Sequence, residues 1–306
     1  MSENIGYYRG EFLPAKDISV SVFDTGFMQG VTIAEQIRTF GGKLFRLEEH
    51  LQRLQRSLEI VDVTPDESLV RIAELATEVT ARNYALVDEG DDVALAIIVT
   101  PGAYPSYSAF GPAGPGVGMY AFPMPFGMWA DKYETGQRLV TAKTRQVSPL
   151  NWPAELKCRS RMHYYLADQE ARATDPAAHA LLLNMDGNVC EASTANLLIY
   201  KVNEGLVSPK QETILPGISL AALRDLAKII DVPMSDRELS LEEFYSADEA
   251  LLCSTSPCAL SVVNIDGHAI GDGKPGPMVR RLLTSWSEMV GLDVVEQARK
   301  FANRSV

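Results

Sequence analysis

Two nearby stretches decide the fold of this chain: Leu156-Lys157-Cys158-Arg159-Ser160 and Asn188-Val189-Cys190-Glu191-Ala192-Ser193-Thr194-Ala195-Asn196. The sequence between them predicts a helix over Ser160 to Thr174 and a strand over Ala180 to Asn184, with a turn at residues 186–188. A lysine and a glutamate are thus placed on a framework of helix and strand. The lysine amine can attack a carbonyl carbon, and the carboxylate can pair with a protonated ring nitrogen.

The composition is that of a globular protein. Apolar residues make up 46% of the 306 residues and charged residues 22%, which is typical of one large domain or two ordinary ones. The formal net charge of -12 argues against nucleic-acid binding, which requires a basic face. The longest apolar runs, such as Ala94 to Val99, are too short to span a membrane, and the N-terminus lacks the basic-then-apolar pattern of a signal peptide.

The cysteines and histidines predict neither a disulfide framework nor a metal site. The cysteines show no CxxC spacing, which indicates reduced thiols in a cytoplasmic protein; they are Cys158, Cys190, Cys253 and Cys258. The four histidines lack metal-ligand spacing. We therefore expect a cytoplasmic protein that binds no metal.

Two domains are predicted. The first covers residues 1–124, a linker covers 125–130, and a larger domain covers 131–306, because Pro and Gly residues cluster at the boundary. In the first domain we predict strands at Ile5 to Glu11, Ile18 to Val22, Val93 to Thr100 and Met119 to Met124, and helices at Arg46 to Ile60 and Pro65 to Asn83. In the second domain we predict strands at Arg138 to Arg145 and at Leu197 to Tyr200, and a third strand that ends at Ser256. We also predict a helix at Leu220 to Ile230 and another that begins at Pro277.

Several motifs resemble those of the class IV (fold type IV) aminotransferases, which depend on pyridoxal 5'-phosphate (PLP). That family includes branched-chain and D-amino-acid aminotransferases and aminodeoxychorismate lyases. The motifs are Asp24-x-Gly26-Phe27-x-x-Gly30, Glu49-His50-Leu51-Gln52-Arg53-Leu54, Lys157 with its helix, Glu191 to Asn196, Leu215-Pro216-Gly217-Ile218-Ser219 and Ser254-Thr255-Ser256. The resemblance covers nearly the whole chain. It implies an α/β (α+β) fold with a small N-terminal domain and a larger, β-rich C-terminal domain that binds PLP, and it implies a homodimer.

The resemblance also implies roles for individual residues. Lys157 would form the Schiff base with PLP and move the proton in the 1,3-proton shift. Glu191 would pair with the ring nitrogen, and the planar Arg53 guanidinium would bind the phosphate. A helix N-terminus after Gly217 would offer its N–H groups to the phosphate. The implied cofactor-binding residues are Arg53, Lys157, Glu191, Asn196, Gly217, Ile218, Ser219, Thr255 and Ser256.

The substrate motifs match the family less well. Branched-chain enzymes have an aromatic-Glu-Gly run where this chain has Ala34-Glu35-Gln36, so Gln36 is expected to project a polar group into the substrate pocket. The arginine that D-amino-acid enzymes place after the strand is replaced by Pro101, and a tyrosine expected five residues after the lysine is Met162, for which Tyr164 or Tyr165 could substitute. The candidate substrate-binding residues are Gln36, Arg38, Arg145, Arg159 and Arg161.

Three functions follow from these observations. The first is an aminotransferase that moves an amino group between an amino acid or amine and a 2-keto acid. The second is an aminodeoxychorismate lyase-type enzyme that releases pyruvate, although Gln36 stands where that lyase has a threonine. The third is a non-catalytic cofactor-binding or interaction protein, against which the intact Lys157 and Glu191 argue. The sequence does not identify the amino donor or its stereochemistry.

Overall fold

The computed structural model describes residues 3–304, which form two compact units. The first unit contains residues 3–124 and Leu156–Ser160, and the second contains Pro125–Glu155 and residues 161–304. The sequence analysis placed Lys157 in the C-terminal domain, whereas the structure places its segment in the first unit. The reason is backbone pairing, because the amide of Ala34 donates to the carbonyl of Lys157 over 3.1 Å.

The first unit is an antiparallel sheet with two long helices on one face. Its strands are β1 (Ile5–Tyr8), β2 (Glu11–Pro14), β3 (Ile33–Phe40), β4 (Lys43–Leu44), β5 (Val93–Thr100) and β6 (Gly116–Pro123). Its helices are α1 (Thr25–Met28), α2 (Leu47–Ile60) and α3 (Leu69–Tyr84). The strand order is β2-β1-β6-β5-β3-β4, and every pairing along it is antiparallel.

The hydrophobic core of the first unit lies between one face of this sheet and helices α2 and α3. Helix α2 contributes leucines at helical spacing, and β5 contributes Leu95, Ile97 and Val99. Because successive strand residues point to opposite faces, Ala94, Ala96 and Ile98 lie on the second face of the sheet, away from this core.

The structure confirms some predicted elements of this unit and contradicts others. Strand β5 has the predicted bounds, and β3 and β4 form a hairpin. The predicted strand Ile5 to Glu11 is instead divided into β1 and β2 by a turn at Arg9 and Gly10, whose φ angles are +49° and +96°. The predicted strand Ile18 to Val22 is wrong, because a 3-10 turn redirects the chain just before it. Helix α3 begins at Leu69 because the Ser68 hydroxyl caps it.

The second unit is built on a larger sheet. Its strands are β7 (Gln137–Thr141), β8 (Ala178–Leu183), β9 (Val189–Ala192), β10 (Ala195–Lys201), β11 (Gly205–Ser208), β12 (Met234–Asp236), β13 (Glu249–Ser254), β14 (Cys258–Ile265) and β15 (His268–Ala269). Its helices are α4 (Lys132–Thr135), α5 (Met162–Thr174), α6 (Ile218–Ile229), α7 (Leu241–Tyr245), α8 (Pro277–Val290) and α9 (Val294–Phe301).

The strands of the second unit close into a ring. The sheet order is β12-β11-β10-β13-β14-β7-β8-β9, and an additional pairing of β9 with β10 completes a ring of six strands, β10-β13-β14-β7-β8-β9. Helix α5 packs on β7 and β8 through Ala167 and Ala171. It begins at Met162 rather than at the predicted Ser160, whose hydroxyl instead donates to the Gly30 carbonyl over 2.9 Å in the first unit. Among residues 3–304, no helix is long and apolar enough to cross a membrane.

Candidate active site

In the first unit, Lys157 is fixed by its backbone. Its carbonyl accepts from Ala34, and its amide donates to the Ser57 hydroxyl over 3.2 Å. The amide of Arg159 donates to the carbonyl of Thr32 over 2.8 Å. The segment therefore continues the sheet beside the start of β3 and is anchored to α2, so the position of the Lys157 side chain is set by two elements.

Arg53 is held by a buried carboxylate in the same unit. Glu35 of β3 accepts from Arg53 Nε and Nη2 at 2.7 Å each, and from His50 Nδ1 at 2.7 Å. All three residues are buried. Because ionised Glu35 can only accept, the proton of neutral His50 lies on Nδ1. We define these three residues as the Glu35 cluster.

In the Glu35 cluster, charge pairing lowers the pKa of Glu35 more than burial raises it. Burial alone would raise the pKa of the Glu35 carboxyl, but the Arg53 charge and the hydrogen bonds from Arg53 and His50 lower it to about 2. Burial is also the main cause that lowers the pKa of His50, and the Lys157 charge contributes to that lowering. The cluster therefore contains an ionised Glu35 and a neutral His50 at pH 7, and the Lys157 amine is electrically coupled to it.

In the second unit, Glu191 of β9 is buried and is held by three neutral donors. Its Oε1 accepts from the Gln146 amide and the Tyr164 hydroxyl, and its Oε2 accepts from the Leu215 amide over 3.3 Å. Burial, followed by the nearby charge of Glu191, raises the pKa of Tyr164 well above its usual range, so Tyr164 stays a donor. The carboxylate is thereby fixed in orientation.

The predicted helix N-terminus lies beside Glu191 in the same unit. Helix α6 begins at Ile218 with Gly217 as its N-cap residue, and no side chain caps this end. Asn196, which is opposite Glu191 across β9 and β10, donates to the Leu215 carbonyl over 2.9 Å. A Cβ atom at Gly217 would lie 2.0 Å from Asn196 Oδ1, so only glycine permits this approach. Ser219 is in the first turn of α6.

Thr255 and Ser256 lie in the tight turn between β13 and β14, directly after Ser254, which pairs with Cys258. Because Asn196 pairs with Cys253 across β10 and β13, this turn is at the same end of the ring as the start of β10. The second unit thus places Glu191, Asn196 and the 254–257 turn at one end of the ring.

The candidate substrate residues are divided between the two units. Gln36 and Arg38 lie on β3, Arg159 lies beside β3, and Arg145 and Arg161 belong to the second unit. Arg38 is buried, with its guanidinium 4.0 Å from the centre of the Phe40 ring and its Nε donating to the Thr39 carbonyl.

Three residues that support the site have no assigned role in the sequence analysis. Glu35 lies between Ile33 and Ile37 at the spacing of one strand face, which could have marked it as a buried acidic residue. Tyr164 was considered only as a substitute for the tyrosine missing at position 162; it contacts Glu191, whereas Tyr165 is exposed. Gln146 follows a strand in an ordinary polar stretch, and nothing in its local sequence indicates its bond to Glu191.

The donor set fits PLP. In the first unit, a lysine amine suits the aldehyde. In the second unit, a buried and oriented carboxylate suits a protonated pyridine nitrogen, and an uncapped helix N-terminus next to a closely packed glycine suits a phosphate. Among residues 3–304, no group of three or more His, Cys, Asp or Glu side chains is arranged to hold a metal ion.

Comparisons with known proteins agree with this geometry. The family described as "Amino-transferase class IV" matches residues 32–265. "Branched-chain-amino-acid aminotransferase-like protein 1" of Arabidopsis thaliana is 32% identical over 289 residues, which is 91% of this chain and 49% of that protein. D-alanine aminotransferase of Bacillus licheniformis is 27% identical over 281 residues, 91% of this chain and 94% of the relative. The chain spans about half the length of the Arabidopsis relatives that it matches.

Solved structures show the same fold. The branched-chain amino acid aminotransferase of Escherichia coli superposes with a TM-score of 0.85 at 24% identity, covering 95% of both chains. The branched-chain aminotransferase of Thermoproteus uzoniensis with norvaline gives a TM-score of 0.82 at 22% identity, covering 98% of this chain and 97% of that chain. These likenesses confirm the predicted fold class, that of fold type IV aminotransferases. Because the family match covers most of the chain, the chain belongs to the class IV aminotransferase family.

Proposed function

We propose that this protein is a PLP-dependent aminotransferase that moves an amino group between an amino acid or amine and a 2-keto acid. The observation that supports this most directly is the position of Lys157, whose backbone is fixed between β3 and α2 by its bonds to Ala34 and Ser57.

PLP, when bound, supplies an electron sink that stabilises negative charge on the substrate α-carbon. Lys157 would hold the cofactor aldehyde covalently at Nζ. Once released by the incoming amine, Nζ would accept the proton from the substrate α-carbon and return it as an acid. Its fixed backbone limits the positions that Nζ can reach, which lowers the entropic cost of each proton transfer.

Glu191 would keep the ring nitrogen protonated. Gln146, Tyr164 and the Leu215 amide donate to its carboxylate and fix the orientation of the two oxygens, as pairing with a cationic ring nitrogen requires. In the first unit, the Arg53 guanidinium, which Glu35 holds in place, would attract the phosphate. In the second unit, the first-turn N–H groups of α6 and the Ser219 hydroxyl are donors that suit a phosphate. Asn196 would keep the Leu215 backbone in place, and Thr255 and Ser256 would add hydroxyl and amide donors.

We also propose that the protein is cytoplasmic and forms a homodimer. The proposal of a reducing compartment is supported by the four cysteines, all of which are free. The proposal of a homodimer rests on the resemblance to the family, and size-exclusion chromatography with light scattering would test it.

The test is a half-reaction. The purified protein loaded with PLP would be mixed with single L-amino acids, D-amino acids or (R)-amines without any acceptor. We expect at least one donor to convert the cofactor absorbance to that of pyridoxamine phosphate, and a 2-keto acid to restore it. The variant Lys157→Ala should show neither change. Absence of conversion with every donor class, together with pyruvate release from aminodeoxychorismate, would instead identify the lyase.

A further inference from the structure

The backbone register next to Lys157 determines which way its neighbours point. Cys158 lies directly opposite Ile33 in an antiparallel bridge, so Lys157 is opposite Ala34 and Arg159 is opposite Thr32. Ile33 belongs to the hydrophobic core, and Cys158 packs against that core. Because strand residues alternate between faces, Lys157 and Arg159 both point to the second face of the sheet, away from the core.

Arg159 is available on that face. Its side chain is exposed, and no carboxylate or other hydrogen-bond partner is bound to its guanidinium anywhere in residues 3–304. The nearest positions of the second face are neutral, because Ala34 is opposite Lys157 and pairs with Ile98 on its other side. No neighbouring strand position neutralises the guanidinium, which keeps its charge for a ligand.

The other candidate arginines are placed differently. Arg38 also points to the second face, but it is four residues along β3 from Ala34, roughly 13 Å away, and it is buried against Phe40. Arg145 and Arg161 belong to the second unit: Arg145 precedes Gln146, which binds Glu191, and the Arg161 charge lowers the pKa of Tyr164. Both are therefore neighbours of the groups that hold Glu191.

Lys157 and Arg159 lie on either side of Cys158, whose bridge to Ile33 holds this segment against the start of β3, so their side chains leave it roughly 7 Å apart on the same face. An α-amino acid places its carboxylate one bond from the carbon that bears the amino group. A substrate that reacts at Lys157 Nζ would therefore present its carboxylate to a guanidinium at about this separation. A guanidinium binds a carboxylate through a forked pair of hydrogen bonds.

We propose that Arg159 binds the α-carboxylate of the substrate, so that the substrates are α-amino acids and 2-keto acids rather than amines without a carboxylate. This proposal rests on the proposed aminotransferase function, because it requires that Lys157 reacts at the carbon next to that carboxylate.

The test compares Arg159→Gln and Arg159→Lys with the control Arg172→Gln, which removes an exposed arginine of α5. We expect Arg159→Gln to raise KM for the keto acid and the amino acid roughly 10- to 100-fold, the loss of a charged hydrogen-bond pair, with kcat changed less than about 3-fold. The rate with a simple (R)-amine donor should be low in the wild type and the same in Arg159→Gln. Arg159→Lys should recover part of the affinity, and Arg172→Gln should behave as wild type.

A binding measurement separates this proposal from the proposed function. By titration calorimetry on the PLP-loaded protein, hexanoate should bind Arg159→Gln at least about 10-fold more weakly than it binds the wild type. Hexan-1-ol, which has no carboxylate, should bind the two proteins with equal affinity. Unchanged hexanoate affinity and unchanged keto-acid KM would overturn the role of Arg159 even if amino transfer proceeds. If Arg159→Gln binds hexanoate more weakly but the wild-type protein transfers no amino group, the carboxylate site at Arg159 is supported and the aminotransferase proposal is refuted.

Discussion

Replacing Glu35 by glutamine should destabilise the first unit, because it leaves the buried Arg53 cation without its carboxylate. The pKa of Glu35 falls from its ordinary value of 4.5 to about 2 in the folded chain, which corresponds to roughly 3 kcal/mol of favourable interaction. Breaking a buried ion pair by removing one partner costs about 3–5 kcal/mol, in agreement with that figure. The midpoint temperature of thermal unfolding should therefore fall by on the order of 10 °C.

The same change should alter the acid sensitivity of the fold. A group whose pKa is lowered by folding stabilises the protein above its unfolded pKa, and that contribution is lost as the pH falls through the folded pKa. For Glu35 the window runs from 4.5 down to about 2. The variant Glu35→Gln should thus lose less stability than wild type across this window, although it starts from a lower value at pH 7.

Thermal and urea unfolding of the cofactor-free protein, followed by circular dichroism at pH 7 and at steps down to pH 3, measure both effects. Glu74→Gln is the matched control, because Glu74 pairs with Arg71 over 2.9 Å on the exposed surface of α3, where such pairs contribute about 0–1 kcal/mol. PLP should stabilise Glu35→Gln more than it stabilises wild type, since the phosphate would give Arg53 a new anion, and pyridoxal should not. A loss in Glu35→Gln no larger than that in Glu74→Gln would refute the reasoning.

Three further predictions concern the second unit and the thiols. Tyr164→Phe removes one donor from Glu191 and should slow amino transfer roughly 10-fold, at a cost of about 1–3 kcal/mol, whereas Tyr165→Phe, at an exposed position, should have no effect in the same steady-state assay. Gly217→Ala would bring a Cβ atom to 2.0 Å from Asn196 Oδ1 and should weaken PLP binding at least about 10-fold with little effect on pyridoxal; equal losses for both ligands in fluorescence titrations would argue against a phosphate contact. In the native protein a thiol reagent should modify only the half-buried Cys158, because the other three cysteines are buried and burial raises the pKa of Cys190 to about 12; mass spectrometry that finds label on Cys190 would contradict this.

The sequence predicted the elements whose pattern is local. Leucines at 47, 51, 54 and 58 predict helix α2 to within one residue of its observed start, and the continuous apolar run of β5 gives its bounds without error. Strand β9 was missed although it holds Glu191, because it is only four residues long and buried on both sides, so it shows no alternation.

Contacts between distant residues could not be predicted in the same way. Glu35 binds His50 and Arg53, which are 15 and 18 residues away, only because α2 packs on the sheet that contains β3. Gln146 reaches Glu191 across 45 residues. Lys157 was assigned to the C-terminal domain because it follows the predicted linker at residues 125–130, but its backbone pairs with β3 in the first unit. Pairing between remote segments depends on the tertiary structure and leaves no local signal.

The most direct measurement is chemical reduction of the PLP-loaded protein with borohydride, followed by digestion and mass spectrometry of the modified peptides. If Lys157 holds the cofactor aldehyde, one stable phosphopyridoxyl group should be found on the peptide that contains Lys157, and Lys157→Ala should yield none. A label on a different lysine, or no label on any peptide of a protein that has bound PLP, would contradict the assignment of Lys157.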